Sequence, residues 1–467
     1  MPAQRIQRFL VRRKALPELV LRIGLIISLL LIVFLPGDLE GRIPFAIAFT
    51  VLYVAVGRRF DYLDPVVGYL CPWLLILFFS VTKLSRFAIS IHRSTYSLVL
   101  LSMVCAVLVG GLTTKPKVPN ERRWLPPKRT RWSARTVFRS VDLFFVAFTL
   151  FNIVEAGYIP LIRGIATGDT GYLAFGIHGV YGFYLAMGNA LAIIYFIVYL
   201  RTGSRQYLYR YLGILAVFLL FVSRQNVISA AVESLIVYSL LRGRVPLKKI
   251  AIGLVVSGVL FSIVGNLRSG SIREIAGIDE DWVPSPFVWL YAYSYFNIAN
   301  VDNLITRSNA PYYDGSSFSQ LIPSFLRPEN DSVDYSSYLL LMNFNAPSYM
   351  FPVYTDIGEA GVLLLTLIAI YLTSKRYARI YRPSSLSQVG TYSVLYFCAS
   401  FSFFYNFWFF LPVIFQLFFF YLFGNYAELL IAQQRNQWPI VRRSFTVMKR
   451  HKAPRLPIAN DEGICGQ

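Results

Sequence analysis

Residues that carry the chemistry of soluble enzymes are scarce in this sequence. Charged residues make up 15% of its 467 positions, and it has three histidines and four cysteines. A soluble globular chain carries about 25% charged residues. Hydrophobic residues instead reach 56% and aromatic residues 16%. This composition excludes an ordinary soluble enzyme, a disordered chain and a disulfide-stapled secreted domain, and it is typical of a polytopic membrane protein.

Motifs for nucleotides and metals are also missing. The sequence has no GxxxxGK[ST] phosphate loop, no GxGxxG after a strand and no HExxH. Its cysteines show no CxxC spacing, and three histidines cannot build a His-rich metal site. No basic connection is long enough to bind a nucleotide. We therefore expect no metal and no cofactor.

Apolar runs dominate what is present. A spanning helix needs about 20 mostly apolar residues, and a basic segment precedes the first run, which lacks a clear cleavage site and is therefore read as a helix. The stretch 212–241 is either one tilted helix or two helices that meet at SRQN (223–226), and we expect two because mid-bilayer polar residues are costly. The twelve predicted spans are 19–36, 43–57, 65–81, 96–113, 141–162, 176–200, 212–223, 227–241, 250–266, 357–374, 388–405 and 408–428.

The net charge of +21 follows membrane topology. Of the 45 Lys and Arg residues, 34 lie in the two terminal segments and in every second connection between spans. This bias predicts that both termini are cytoplasmic and explains the charge without nucleic acid. The expected organisation is a cytoplasmic tail (1–18), nine spans (19–266), an extracytoplasmic loop (267–356), three spans (357–428) and a cytoplasmic tail (429–467).

The long connection at 267–356 differs from the others. Positions 267–350 hold four arginines and nine acidic residues, and WLYAYSYF at 289–296 forms an aromatic stretch. Loops of this length are usually functional or disordered, and this one is too aromatic for disorder. We expect it to fold over the outer end of the helix bundle, with the aromatic stretch helical or partly embedded in the membrane.

Arginines at the expected outer face run against the positive-inside bias. Guanidinium groups bind phosphate bidentately and stay charged, so a cluster formed when the bundle closes would bind a lipid diphosphate. The alternative is pairing with nearby acidic residues or lipid headgroups. The candidates are Arg224, Arg268, Arg273, Arg163 and Arg327.

Candidate general bases lie near these arginines. They are Glu274, Asp302 and His178. Glu274 also has capping-box spacing from Ser271, and a lone histidine is more often structural. Two further carboxylates, Glu155 and Glu233, fall within apolar spans, where they would pair with a buried arginine or act in proton coupling.

Aromatic side chains of the long connection suit stacking on sugar rings. The candidates are Trp289, Tyr291 and Tyr295. An aromatic belt at the membrane interface is the other explanation for the same residues. The sequence alone leaves both open.

Four short segments together resemble one family. They are GYIPLIR (157–163), GYLAFGIHG (171–179), the helix tip SRQN (223–226) and the helix entry DIG (356–358). In order and topology they are similar to the oligosaccharide repeat-unit polymerases, the Wzy-type O-antigen polymerases. The resemblance covers about residues 140–410.

The resemblance implies a GT-C-like bundle of helices and a metal-independent glycosyltransferase. Such an enzyme transfers a growing glycan from undecaprenyl diphosphate to a lipid-linked repeat unit, on the outer face of the bacterial cytoplasmic membrane. The implied partners are undecaprenyl-diphosphate-linked oligosaccharide, membrane lipids, a chain-length regulator and a flippase. The product would be an O antigen, a capsule or an exopolysaccharide.

Two alternatives remain. A glycan ligase, or a transferase that uses a monophosphate lipid sugar, would share the outer arginines. A lipid-linked oligosaccharide flippase would also have about twelve spans, but it would place its charges along a central path and have short outer loops.

Overall fold

Helices account for nearly all of the regular structure. The computed structural model describes residues 2–58, 61–112, 130, 132–172, 174–177, 179–242, 258, 259, 262, 265, 271–323, 326, 335–345, 348–380 and 385–437. No strand occurs among them. The α-helices, numbered α1 to α14 in chain order, are Pro2–Phe34, Ile43–Leu52, Pro65–Thr82, Arg93–Leu112, Ala134–Ala156, Pro160–Thr167, Tyr181–Thr202, Arg205–Leu220, Arg224–Arg242, Ile272–Ala276, Ser285–Arg307, Met350–Ile380, Leu386–Ser400 and Leu411–Gln437.

The expectation of an all-helical membrane protein is confirmed. Within the described ranges, eight helical stretches are long and apolar enough to cross a membrane. The count of twelve stays a prediction. The eight are Pro17–Phe34, Glu40–Gly57, Pro65–Thr82, Arg93–Gly111, Ala134–Thr167, Tyr181–Thr202, Met350–Ile380 and Leu411–Gln434.

The remaining predicted spans have different outcomes. Those at 212–223, 227–241 and 388–405 correspond to α8, α9 and α13, which are not among the eight. The chain does leave the helix at 221–223, so two helices form there rather than one. The span predicted at 250–266 lies outside the described residues except at 258, 259, 262 and 265.

Local sequence signals explain several helix ends. Asp64 caps α3 by accepting a hydrogen bond from the Val66 backbone N–H at 2.9 Å, and Pro65 occupies the first helical position, which tolerates a missing N–H. Gly157 and Gly203 end α5 and α7 in the left-handed region, where glycine carries no steric penalty. Ser385 and Gln388 form a reciprocal capping box on α13.

Two apolar cores are joined through α12 and α13. The first core contains α1 to α4, α10, α11 and the first part of α12, and the second contains α5, α7 to α9, α13 and α14. Tyr377 at the end of α12 belongs to the second core, and Ala399 of α13 belongs to the first. The long helices of both halves therefore bury their apolar faces against one another.

The described part of the predicted loop at 267–356 is largely helical. It contains α10, α11 and the first turns of α12, and α11 packs against α3, α4 and α12. The aromatic stretch at 289–296 lies within α11, so its predicted helical structure is confirmed. Most residues of α11 from Val288 onward are buried, because the helix is covered on several sides.

The connections gather at two ends of the bundle. We call one the long-loop end; it comprises the described parts of 35–42, 82–92, 157–180, 221–226, 271–349 and 401–410. Hydrogen bonds join its parts, as between Arg93 and the Val33 carbonyl and between the Tyr349 N–H and the Ser402 carbonyl, both 2.9 Å. At the opposite end, Tyr377 donates to Asp61 at 2.8 Å.

A break interrupts α12 near its start. The predicted span began at 357, but the helix begins at Met350 and contains Gly358 with φ 77° and ψ −160°. This backbone region is essentially restricted to glycine. The segment before α12 fills the break, with Pro311 packed against Gly358.

We expect Gly358→Ala to lower the free energy of unfolding by about 1–3 kcal/mol, because a Cβ strains this conformation. The measurement is thermal unfolding in detergent. Gly213→Ala is the matched control: Gly213 lies inside α8, where an added Cβ meets nothing within 4 Å. Equal melting temperatures for the two variants would contradict the strained geometry.

Candidate functional site

The predicted sugar-binding aromatics are packing residues in this structure. Tyr291 and Tyr295 are fully buried, and Trp289 is 4% exposed. The two tyrosine rings stack on each other with centroids 5.5 Å apart. Their hydroxyls accept from the backbone N–H groups of Ser85 and Ile89, at 3.1 and 2.6 Å. In this structure the two tyrosines hold the 82–92 connection, and their role in binding sugars stays a prediction.

Asp302 stabilises the start of α4. One carboxylate oxygen accepts from Thr95 Oγ1 at 2.6 Å and from the His92 backbone N–H at 2.7 Å. Burial raises the pKa of this carboxyl above its ordinary value, and the bonds from Thr95 and His92 oppose that rise. The side chain is 4% exposed. In this structure the acid acts as a helix cap supplied by a neighbouring helix, and its role as a general base stays a prediction.

The Arg273 side chain is bonded to residues of the loop that follows α10. Its guanidinium pairs with the Asp281 carboxylate at 3.0 Å and donates to the backbone carbonyls of Asp281 and Val283 at 2.7 and 2.6 Å. The neighbouring Glu274 is exposed on the five-residue helix α10. The predicted capping bond from Ser271 does not form. Arg273 therefore closes the turn after α10.

Arg163 is held by contacts within the 157–171 loop. It pairs with Asp169 at 2.8 Å, and its guanidinium carbon lies 4.6 Å from the centroid of the Tyr158 ring. The Tyr158 hydroxyl donates to the Gly171 carbonyl at 2.9 Å. The segments 157–163 and 171–179, which carry the family resemblance, are thus joined at this point.

Arg224 belongs to a helix tip that packs on the loop containing Arg163. It begins α9 three residues after Phe221, whose ring lies 4.5 Å from Phe175 and 6.2 Å from Tyr181 between centroids. Phe175 also packs on Tyr158, at 6.0 Å. The helix tip with Arg224 and the loop with Arg163 therefore share an aromatic neighbourhood.

A cavity of about 230 Å³ opens next to that neighbourhood. Its walls are the start of α7, the segment 320–323 and the start of α14. Typical ligand cavities measure about 300–1,000 Å³, so it has room for part of a large substrate. Gln320 and Tyr405 provide polar groups and are bonded to each other at 2.8 Å. Aromatic rings complete the wall, contributed by Phe183, Phe410 and Phe415.

The broken part of α12 fixes one wall of this cavity. Asp356 accepts from the Gly315 N–H at 2.9 Å and from Ser317 Oγ at 2.5 Å. The N–H groups of Tyr312 and Tyr313 bond the carbonyls of Thr355 and Asp356 at 2.8 and 2.9 Å. The chain that continues to Gln320 is therefore anchored on the helix break.

Asn406 lies next to the cavity residue Tyr405. It is 2% exposed, and neither amide atom has a hydrogen-bond partner within the described part of the chain. Buried amides normally have hydrogen-bond partners, so Asn406 is an exception beside the cavity. Sequence reasoning missed Asn406, Tyr405 and Gln320, because their proximity is created only by the packing of the loops.

The predicted site residues thus have two different sets of neighbours. Arg273, Asp302 and the α11 aromatics surround the 82–92 connection, whereas Arg163 and Arg224 adjoin the cavity region. Three predicted residues, His178, Arg268 and Arg327, lie outside the described residues. A single pocket formed by all five arginines stays a prediction, and the local pairs of Arg163 and Arg273 account for those two side chains.

We expect Asp302→Ala to lower the free energy of unfolding by about 1–2 kcal/mol, because the buried Thr95 hydroxyl and the His92 backbone N–H lose their acceptor. Asp302→Asn keeps an acceptor oxygen and should retain most of that stability. Thermal unfolding in detergent measures both, with Thr95→Val as a control that removes one bond. An Asp302→Asn variant that is stable but has no activity would instead identify a catalytic carboxylate.

Comparison with known proteins adds no relative. Neither a protein-family model, nor a curated protein, nor a solved structure matches the chain. The resemblance to repeat-unit polymerases therefore depends on the four short segments alone.

Proposed function

We propose that this protein is a membrane-embedded glycosyltransferase that polymerises lipid-linked oligosaccharide repeat units. Its reaction centre would be the cavity at the long-loop end, between the starts of α7 and α14. The donor would be a glycan on a polyisoprenyl diphosphate, and the acceptor a second lipid-linked unit. No step needs a metal or a cofactor in this scheme.

The observation that carries the proposal is the composition of the cavity region. Aromatic rings and a few polar groups line the cavity, a combination that suits sugar rings with their apolar faces and hydroxyl edges. The cavity lies in an apolar bundle with eight candidate spans, and a lipid-anchored substrate would enter it from the bilayer. Both features fit a glycan attached to a lipid.

Arg224 is the proposed diphosphate-binding residue. It belongs to the helix tip that packs through Phe221 on the α7 wall of the cavity. A guanidinium there would bind the diphosphate bidentately and stabilise it as the leaving group. Arg163 already pairs with Asp169, so it would assist only by the field of its charge.

A glycan ligase or a transferase using a monophosphate lipid sugar would use the same cavity. The lipid donor separates these activities, since a polymerase accepts the lipid diphosphate oligosaccharide both as donor and as acceptor. A ligase instead needs a second acceptor class. Supplying each purified lipid alone to the reconstituted protein therefore distinguishes them.

We expect Arg224→Ala to reduce polymer formation about 100-fold, as the loss of one charged contact to the leaving group does. Single repeat units should persist. The measurement is the chain-length distribution of lipid-linked glycan in cells that carry the variant as their only copy. Arg224→Lys should recover part of the activity, because it keeps the charge but loses the bidentate fork.

The matched control is Arg205→Ala. Arg205 is exposed and begins α8 at the opposite end of the bundle. Its removal should leave the chain lengths unchanged. Normal polymer from Arg224→Ala, or equal losses from both variants, would remove Arg224 from the proposed site.

The proposed topology places the long-loop end outside the cytoplasm. In a variant without native cysteines, Trp282→Cys should react with a membrane-impermeant maleimide on intact cells, since Trp282 is 77% exposed. Arg205→Cys should react only after the cells are permeabilised. The opposite pattern would reverse the orientation and place the cavity at the cytoplasmic face.

A further inference from the structure

The carboxylate of Glu233 lies inside the second core and takes no part in the proposed transferase site. It is fully buried on α9, nine residues after Arg224, which corresponds to about 14 Å along the helix axis. The apolar part of a bilayer is about 30 Å thick. Glu233 therefore lies deep in the bundle, away from both helix ends.

One oxygen of this carboxylate is bonded and the other is not. Gln416 of α14 donates from Nε2 to Oε2 at 2.7 Å. Glu233 Oε1 is buried without a hydrogen-bond partner, and no Lys, Arg or His forms an ion pair with the group in the described ranges. An isolated ionised carboxylate in such surroundings is very costly, and a group of this kind normally takes up a proton.

Polar groups lead from the long-loop end towards Glu233. Asn226 lies two turns before it on the same face of α9, and Ser229 one turn before it. Asn226 receives a hydrogen bond from Asn189 of α7 at 2.5 Å and donates to Ser223 at 2.6 Å. In the other direction the corresponding positions of α9 are apolar, at Ile236, Val237 and Leu240.

The helices packed around α9 also contribute groups near the Glu233 carboxylate. Cys398 of α13 and Tyr211 of α8 interact electrostatically with Glu233. Ser234 donates to the Tyr211 hydroxyl at 3.1 Å, and α14 provides Gln416. Across these described neighbours, the group that most favours the ionised carboxylate is the Gln416 amide.

We propose that Glu233 is a proton-binding site inside the bundle, which exchanges its proton with the long-loop end through the polar face of α9. The exchange is the reversible loss of a proton from the carboxylic acid to give the carboxylate, with no other reactant. The inference is independent of the proposed transferase reaction.

Infrared difference spectroscopy tests this proposal on the full-length protein in lipid. Protonated carboxylic acids give a carbonyl band that shifts in D2O. We expect such a band at neutral pH, its loss as the pH is raised, and its absence in Glu233→Gln. Glu155→Gln, which changes an exposed carboxyl on α5, should keep the band.

A second variant tests the same site without changing the acid. Gln416→Leu removes the donor to Oε2 and so disfavours the carboxylate. The midpoint of the titration should rise by about one pH unit, the equivalent of one hydrogen bond. The shift of this midpoint tests whether the band belongs to Glu233 even if Glu233→Gln fails to fold.

Four results would overturn the proposal. They are the absence of the band at neutral pH, its persistence in Glu233→Gln, a band that does not titrate up to the pH of unfolding, and a midpoint that Gln416→Leu leaves unmoved. A permanently protonated acid would be structural only. A midpoint that varies with sodium concentration at constant ionic strength would instead identify a cation site.

Discussion

In an apolar bundle, every buried polar group needs a partner that the protein itself provides. This constraint explains the structure at the long-loop end. Asp302 caps a neighbouring helix, Asp356 anchors the chain before its own helix, and Tyr295 bonds a connection between two spans. Asp302, which the sequence suggests as a catalytic group, is therefore bonded within the fold.

The few polar groups left without partners become the informative ones. Asn406 beside the cavity and Glu233 inside the second core are both buried, each with at least one polar atom unsatisfied among the described residues. Their chemistry differs. Asn406 carries a neutral amide, whereas Glu233 carries a carboxylate that can take up a proton.

The division into two cores also bears on function. The aromatic layer around α11 stabilises the first core, while the cavity belongs to the second core and to the loops above it. The anchored segment from Tyr312 to Gln320 connects the two, because it is bonded to the break in α12 and contributes to the cavity wall. A displacement of α12 at the Gly358 break would therefore displace the cavity wall that contains Gln320.

The sequence by itself determined the membrane class, the helical fold and the presence of two helices within 212–241, because apolar run length and polar interruptions are local properties. It placed the junction at 223–226, whereas the chain leaves the helix at 221–223 and residues 224–226 already belong to α9. Only the tertiary structure decided that Tyr291 and Asp302 face packed connections and that Gln320 meets Tyr405. Such contacts join residues tens to hundreds of positions apart. They depend on which helices pack together, which residue spacing alone does not encode.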